Sequence, residues 1–146
     1  MPPVVIDVRN AEDWRDVVHR AVQSLAEGEL VAFPTETVYG LGADVLNLDA
    51  VRKVFSVKGR PPDNPLIVHV PGMGSAEGFA ESIPEKAREL AGHIWPGPLT
   101  IVVPLRPDAG ICAEVTAGLD TIGVRVPDHR LARAVLRAAC DGSASR

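Results

Sequence analysis

Short apolar runs, each cut off by proline or a glycine-rich turn and separated by stretches with helical spacing, constrain this chain more than any other feature. Leu30-Val31-Ala32-Phe33 stops at Pro34, and Leu66-Ile67-Val68-His69-Val70 stops at Pro71-Gly72. Thr121-Ile122-Gly123-Val124-Arg125-Val126 stops at Pro127. Proline has no amide to donate to a ladder, so it closes central pairing. The first two runs read as buried strands, and the third as a strand. Thr100-Ile101-Val102-Val103 and the β-branched Val4-Val5-Ile6-Asp7-Val8 read as two more. Trp14, Val17, Val18, Ala21, Val22 and Leu25 recur at helical spacing, with Asn10 as N-cap, Asp13 favouring the helix start and Gly28 at the stop. Asn47 or Asp49 caps a second helix that carries Val51, Val54 and Phe55. Ser82 caps a third, with Pro84 in its first turn and Ala87, Leu90, Ala91 and Ile94 as the buried face. Asp128 caps the last, with Leu131, Ala132, Val135 and Leu136 on one side. Residues 72–78 and 107–118 read as loops. Strands alternating with helices predict a layered α/β or α+β domain.

The chain has 146 residues, the length of one domain, and 46% hydrophobic residues to fill a core. Aromatics make up 4%, so that core is built from Val, Leu, Ile and Ala. The formal charge of −4 excludes a globally basic nucleic-acid binder and leaves room for a local basic patch. Cys112 and Cys140 lack metal spacing and a disulfide framework, and read as free thiols in a reducing cytoplasm. The N-terminus has no signal-peptide pattern, and no apolar run approaches a membrane span.

Polar residues collect where the apolar runs end. Phe33-Pro34-Thr35-Glu36-Thr37-Val38-Tyr39-Gly40-Leu41-Gly42 turns abruptly polar after its strand, and Gly40 and Gly42 allow close backbone approach to a ligand. The same stretch also fits an ordinary loop. In Lys58-Gly59-Arg60-Pro61-Pro62-Asp63-Asn64-Pro65, prolines preset the backbone and two cations flank a glycine. Both cations can address one anion, or they can complement a helix C-terminus. His69 fits a hydrogen-bonded structural residue or a functional one. Arg125, inside an apolar run, needs a partner, and a bound anion or a structural carboxylate serves equally. There is no Walker loop, GxGxxG, metal-ligand cluster or Ser-His-Asp arrangement. Positioning and charge stabilisation, as in adenylyl or phosphoryl transfer, fit this set of groups.

Four segments, taken together and in order, resemble the YrdC-type threonylcarbamoyl-AMP synthases. They are FPTETVYGLGAD (residues 33–44), KGRPPDNPLIVHV (58–70), WPGPLT (95–100) and VTAGLDTIGVRVP (115–127). The resemblance implies a single YrdC-like domain over residues 1–146: an α/β fold with a twisted mixed sheet, flanking helices and a concave basic face. It implies synthesis of threonylcarbamoyl-AMP and pyrophosphate from L-threonine, bicarbonate and ATP, with Mg²⁺ accompanying the ATP. A downstream threonylcarbamoyl-transferase complex then modifies a tRNA adenosine beside the anticodon, and some members bind tRNA or double-stranded RNA.

Carried over by motif, Thr37 meets L-threonine, with Thr35 and Tyr39 lining its pocket. His69 lies on the threonine side, and Arg125 pairs with the threonine carboxylate. Lys58 and Arg60 address the nucleotide phosphates and offset charge during transfer. Asn64, Thr116 and Thr121 complete the nucleotide side. The family pattern continues into a Ser-x-Asn motif and further strands. Ser143-Ala144-Ser145 is at best a degenerate version, so the resemblance implies a domain short of its C-terminal strands. The expected activity is then weaker than that of a complete relative. Two other readings share these residues: a non-catalytic module that binds nucleotide or double-stranded RNA, and a carbamoyl-AMP-forming domain of a larger carbamoyltransferase. Met1 and the threonine-rich pocket argue against the latter.

Overall fold

The structure is a computed structural model that describes residues 3–9 and 14–143. In chain order the elements are α1 (Arg15–Ala26), β1 (Val31–Phe33), β2 (Gly40–Gly42), α2 (Leu48–Lys58), β3 (Ile67–His69), α3 (Met73–Phe79), α4 (Glu85–Ile94), β4 (Thr100–Pro104), a 3-10 turn (Ala113–Thr116), β5 (Thr121–Arg125) and α5 (Arg130–Ser143). The expected mixed α/β architecture is present. Its strands form two groups. β1 and β2 make an antiparallel ribbon, and β5 lies between parallel β3 and antiparallel β4.

The three-stranded sheet has one filled face and one open face, as a period of two requires. Ile122 and Val124 of β5, Val68 of β3, and Ile101 and Val103 of β4 point into the core, all at most 6% exposed. Val51, Ala76, Ala80, Val115 and Val126 close the core around them. On the other face Ile67 is 47% exposed and Val102 67% exposed, with the bare backbone of Gly123 between them. The expectation of a buried strand at residues 66–70 therefore holds for Val68 and Val70 but fails for Ile67. The same correction applies to β1, where Ala32 is exposed and its neighbours are half-buried. A two-stranded ribbon has too little neighbouring surface to cover both faces.

Several local expectations meet tertiary context. Asn47 caps α2, accepting from the Ala50 amide at 3.1 Å, and Gly59 ends that helix with φ 63°. Gly28 follows the end of α1 with φ 84°. Asn10 and Asp13, expected at the start of α1, lie outside the described residues. Residues 4–8 form no strand, and Val4 and Val5 are 76% and 84% exposed. A β-branched run without a ladder partner has no reason to stay extended. Residues 73–78, expected in a loop, belong to α3, with Gly72 just before it, and the segment 107–118 contains the 3-10 turn. Ser82 does not cap α4, which starts after Pro84 without a side-chain cap. The apolar stripe of α4 is only partly covered: Ala91 is buried, while Leu90 and Ile94 are 51% and 39% exposed. At α5, His129 takes the capping role expected of Asp128, its Nδ1 accepting from the Leu131 amide at 3.1 Å.

The turn between α4 and β4 fixes the position of the sheet end. Gly97 donates its amide to Val126 O at 2.8 Å, and a Cβ on Gly97 would lie 2.3 Å from Ile94 O. Backbone cannot yield there as a flexible side chain can. Gly97→Ala is expected to destabilise the fold by about 2 kcal/mol, as overpacking does, lowering Tm by roughly 4–8 °C. Thermal unfolding followed by circular dichroism measures this, and an unchanged Tm would refute the role.

Candidate functional site

Strand register places three polar side chains in one row on the open face. Arg125 of β5 faces His69 of β3 on one side and Thr100 of β4 on the other. Because β5 is the central strand, its last residue is flanked on both sides, and Arg125 is held there rather than free in solvent. Its Nε donates to Gly97 O at 3.1 Å, and its Nη2 donates to Glu36 Oε1. The ion-paired side chains are 13% and 22% exposed. The second oxygen, Glu36 Oε2, accepts from the Asp128 amide at 2.6 Å. Of the two partners left open for Arg125 by its sequence, the structure supplies the carboxylate. Glu36 was not among the expected site residues. The signal available was two unpartnered opposite charges, but 89 residues separate them.

Glu36 thereby clamps the loop between β1 and β2 over the end of the larger sheet. Within that loop Thr35 Oγ1 donates to Val38 O at 2.5 Å and lies 3.1 Å from Thr37 Oγ1. The Thr37 amide donates back to Thr35 Oγ1 at 3.3 Å. Such hydroxyl-to-backbone bonds hold a tight turn without regular structure. Thr37 stays exposed, whereas Thr35 is half-buried and braces the turn. Tyr39 is 79% exposed and points away from the packed interior.

Phe33 ties the ribbon to His69. The two rings meet edge to face, 6.2 Å between centroids and 85° between planes. A Cβ on Gly42 would come within 2.6 Å of the Phe33 ring, and one on Gly40 within 3.3 Å. The two glycines of the motif thus make room for Phe33. Burial lowers the His69 pKa from its ordinary 6.5, and the positive charge of Arg125 lowers it further. His69 is accordingly a neutral imidazole at pH 7, able to accept or donate one hydrogen bond.

The basic loop lies at the opposite end of the sheet. It enters β3 at its first residue, through the bond from the Leu66 amide to Val115 O at 2.8 Å. Arg60 staples this loop: its Nε donates to Asn64 O at 3.0 Å, and its Nη2 to Asn64 Oδ1 at 3.1 Å and to Pro65 O at 2.5 Å. Lys58 is exposed in the last turn of α2, where it also complements the helix dipole. Thr121 opens β5 on the same face as Arg125. Four residue steps along the strand separate the two, about 13 Å at the usual rise. Thr116 is not on that face: it is 2% exposed, and its hydroxyl donates to Ala113 O at 3.3 Å. The structure thus gathers Thr35, Thr37, His69 and Arg125 at one end of the face, and Arg60, Asn64 and Thr121 towards the other. Between them lie Ile67, Gly123 and Val102.

The site is thus an open face of a mixed α/β domain, with a clamped polar loop at one end and a stiffened cationic loop at the other. The chain belongs to the Sua5/YciO/YrdC family, whose profile, described as "Telomere recombination", matches residues 23–142. Threonylcarbamoyl-AMP synthase of Bacillus subtilis is 52% identical over 120 residues, covering 82% of this chain and 34% of that protein. A variant of Pyrococcus abyssi Sua5 matches with a TM-score of 0.88 and 44% identity, over 93% of this chain and 41% of that one. The crystal structure of P. abyssi Sua5 complexed with L-threonine matches with a TM-score of 0.80 and 47% identity, over 84% of this chain and 35% of that one. This chain therefore spans about a third of the length of the B. subtilis and P. abyssi synthases, 34% and 37%.

Two outcomes follow from the clamp and from His69. Glu36→Gln removes the ion pair from a mostly covered site and is expected to cost about 2 kcal/mol, the range for a hydrogen bond to a charged group. Urea unfolding reads this, and a loss below about 0.5 kcal/mol, typical of a solvated surface pair, would contradict it. For His69, the unfolded chain takes up a proton near pH 6.5 before the folded one does. The stability it contributes is complete above pH 6.5 and is lost as pH falls through the lowered folded value. Tm measured from pH 7.5 to 5 should fall, and His69→Gln should flatten that fall; an equal slope in both proteins would reject the buried neutral state.

Proposed function

We propose that this chain is the catalytic domain of a threonylcarbamoyl-AMP synthase. The threonine amine and bicarbonate form a carbamate with loss of water. A carbamate oxygen then attacks the α-phosphorus of ATP, and pyrophosphate leaves. The observation that carries the reading is the clamped row of Glu36, Arg125 and His69, in a chain 47% identical to a Sua5 crystallised with L-threonine. The activity named for the B. subtilis relative supports the same reaction.

In this reading Arg125 has committed Nε and Nη2 to Gly97 and Glu36, and Nη1 is left for the threonine carboxylate. Thr35 and Thr37 shape the pocket floor, Tyr39 borders it, and neutral His69 hydrogen-bonds the amino acid without adding charge. Lys58 and Arg60 meet the triphosphate and offset charge as pyrophosphate departs. Arg60 arrives preorganised by its bonds to Asn64 and Pro65. Asn64 and Thr121 border the nucleotide, and buried Thr116 braces the 3-10 turn that adjoins the basic loop. Mg²⁺ enters with the triphosphate as part of that substrate. Among the described residues no group of three His, Cys, Asp or Glu side chains could form a separate cage. The two ends of the open face, about 13 Å apart, suit an amino acid and a nucleotide meeting over Gly123. Transfer to a tRNA adenosine falls to a downstream transferase complex, in the cytoplasm. Among the described residues no helix is long and apolar enough to cross a membrane.

Calorimetric titration with L-threonine and ATP, beside a pyrophosphate-release assay, tests the proposal. Arg125→Gln is expected to weaken L-threonine binding at least tenfold, about 1.4 kcal/mol. Lys58→Ala and Arg60→Ala are expected to weaken ATP binding while sparing threonine. Binding of both ligands without pyrophosphate release would leave the module without catalysis, and binding of neither would reject the synthase reading.

A further inference from the structure

On the helix-covered side of the same sheet end, a cleft of about 420 Å³ opens between α3, α4 and α5. Met73, Trp95, Pro96 and Val126 supply apolar wall, and Arg88 and Arg133 supply two guanidinium groups. No carboxylate lines it. Arg88 is partly neutralised by Glu77 at 2.6 Å, in a pair that is 40% and 47% exposed. Arg133 is different. Its Nε is buried and has no acceptor among the described residues. A buried donor without a partner costs about 1–3 kcal/mol, so a guanidinium with an unpaired buried N–H, in a cleft lined by no carboxylate, favours an incoming anion. The Trp95 indole N–H is already donated to Leu99 O at 2.7 Å. Its ring is thus fixed in place and offers the cleft a flat apolar surface.

The geometry points to a second ligand site here, for a small organic anion with one phosphate or carboxylate head on a flat apolar body. The head meets the guanidinium of Arg133, with Arg88 beside it, and the body lies against Trp95, Pro96 and Met73. Arginine is the side chain best matched to planar oxyanions, and a cleft of this size lies within the range of small-ligand pockets. The site is separate from the open face, where Arg125 and His69 lie, and it does not rest on the synthase reading.

Phenyl phosphate is the probe, with benzoate and inorganic phosphate as separate arms. The full chain is titrated by calorimetry and by tryptophan fluorescence. Trp14 and Trp95 are its tryptophans, so Trp14→Phe isolates the cleft signal. Phenyl phosphate is expected to bind and to change Trp95 emission, and inorganic phosphate to bind more weakly for want of the ring. Benzoate binding as tightly would assign the head as a carboxylate. Arg133→Gln should weaken phenyl phosphate at least tenfold and Lys58→Ala should leave it unchanged. Should Arg133→Gln unfold by circular dichroism, Arg88→Gln decides in its place, with a loss of at least threefold expected. No heat and no emission change up to ~10 mM probe, weaker than any useful site, would overturn the proposal. So would affinity that falls with Lys58→Ala and not with the cleft variants, since the anion would then sit at the basic loop.

Discussion

The contact between Glu36 and Arg125 holds the two parts of the molecule in register. Glu36 comes from the loop of a two-stranded ribbon, and a ribbon alone is marginal in water. Arg125 comes from the centre of a sheet with one filled face. Joining them fixes the polar loop over the strand ends, and the second Glu36 oxygen ties the same loop to the start of the last helix through Asp128. Phe33 against His69 adds an apolar contact beside the ionic one. The two contacts hold the ribbon to the sheet end together, one ionic and one apolar.

That arrangement makes the open face chemically asymmetric. At one end a guanidinium is held by a carboxylate and a carbonyl, next to an imidazole kept neutral by burial and by the same guanidinium. At the other end Lys58 is exposed and Arg60 is pinned to its own loop. Gly123 leaves the middle bare, so nothing on β5 divides the two ends. A face of this kind can bring a zwitterion and a polyanion together without a nucleophile of its own, which suits a reaction governed by positioning.

Much of the fold was readable because short-range rules governed it. Asn47 and Gly59 bound α2 as their conformational preferences require, and the stripe of α5 buries Leu131, Ala132 and Val135 as spaced. Failures came where neighbours decide. Val4 to Val8 had strand composition and no partner, and α3 forms in a glycine-containing segment that buries Ala76 against the core. Ile67 looked like a core residue but lies, with Val102, on the uncovered face. For the site, Thr35, Thr37, His69, Arg60 and Arg125 were legible as polar groups at strand ends. The glycines of the motif were legible as a need for space, but not that Phe33 fills it.

By itself, the sequence determined the alternation of strands and helices, the helix caps at Asn47 and Gly59, the proline-stiffened basic loop and the family. Each rests on residues close in the chain, where backbone preference and spacing suffice. Only the tertiary structure decided which face of the sheet stays open, that Thr116 is buried, and that the partner of Arg125 is Glu36. Those depend on strand order and register, which bring together groups 89 residues apart. No local preference encodes the match between one carboxylate and one guanidinium at that separation.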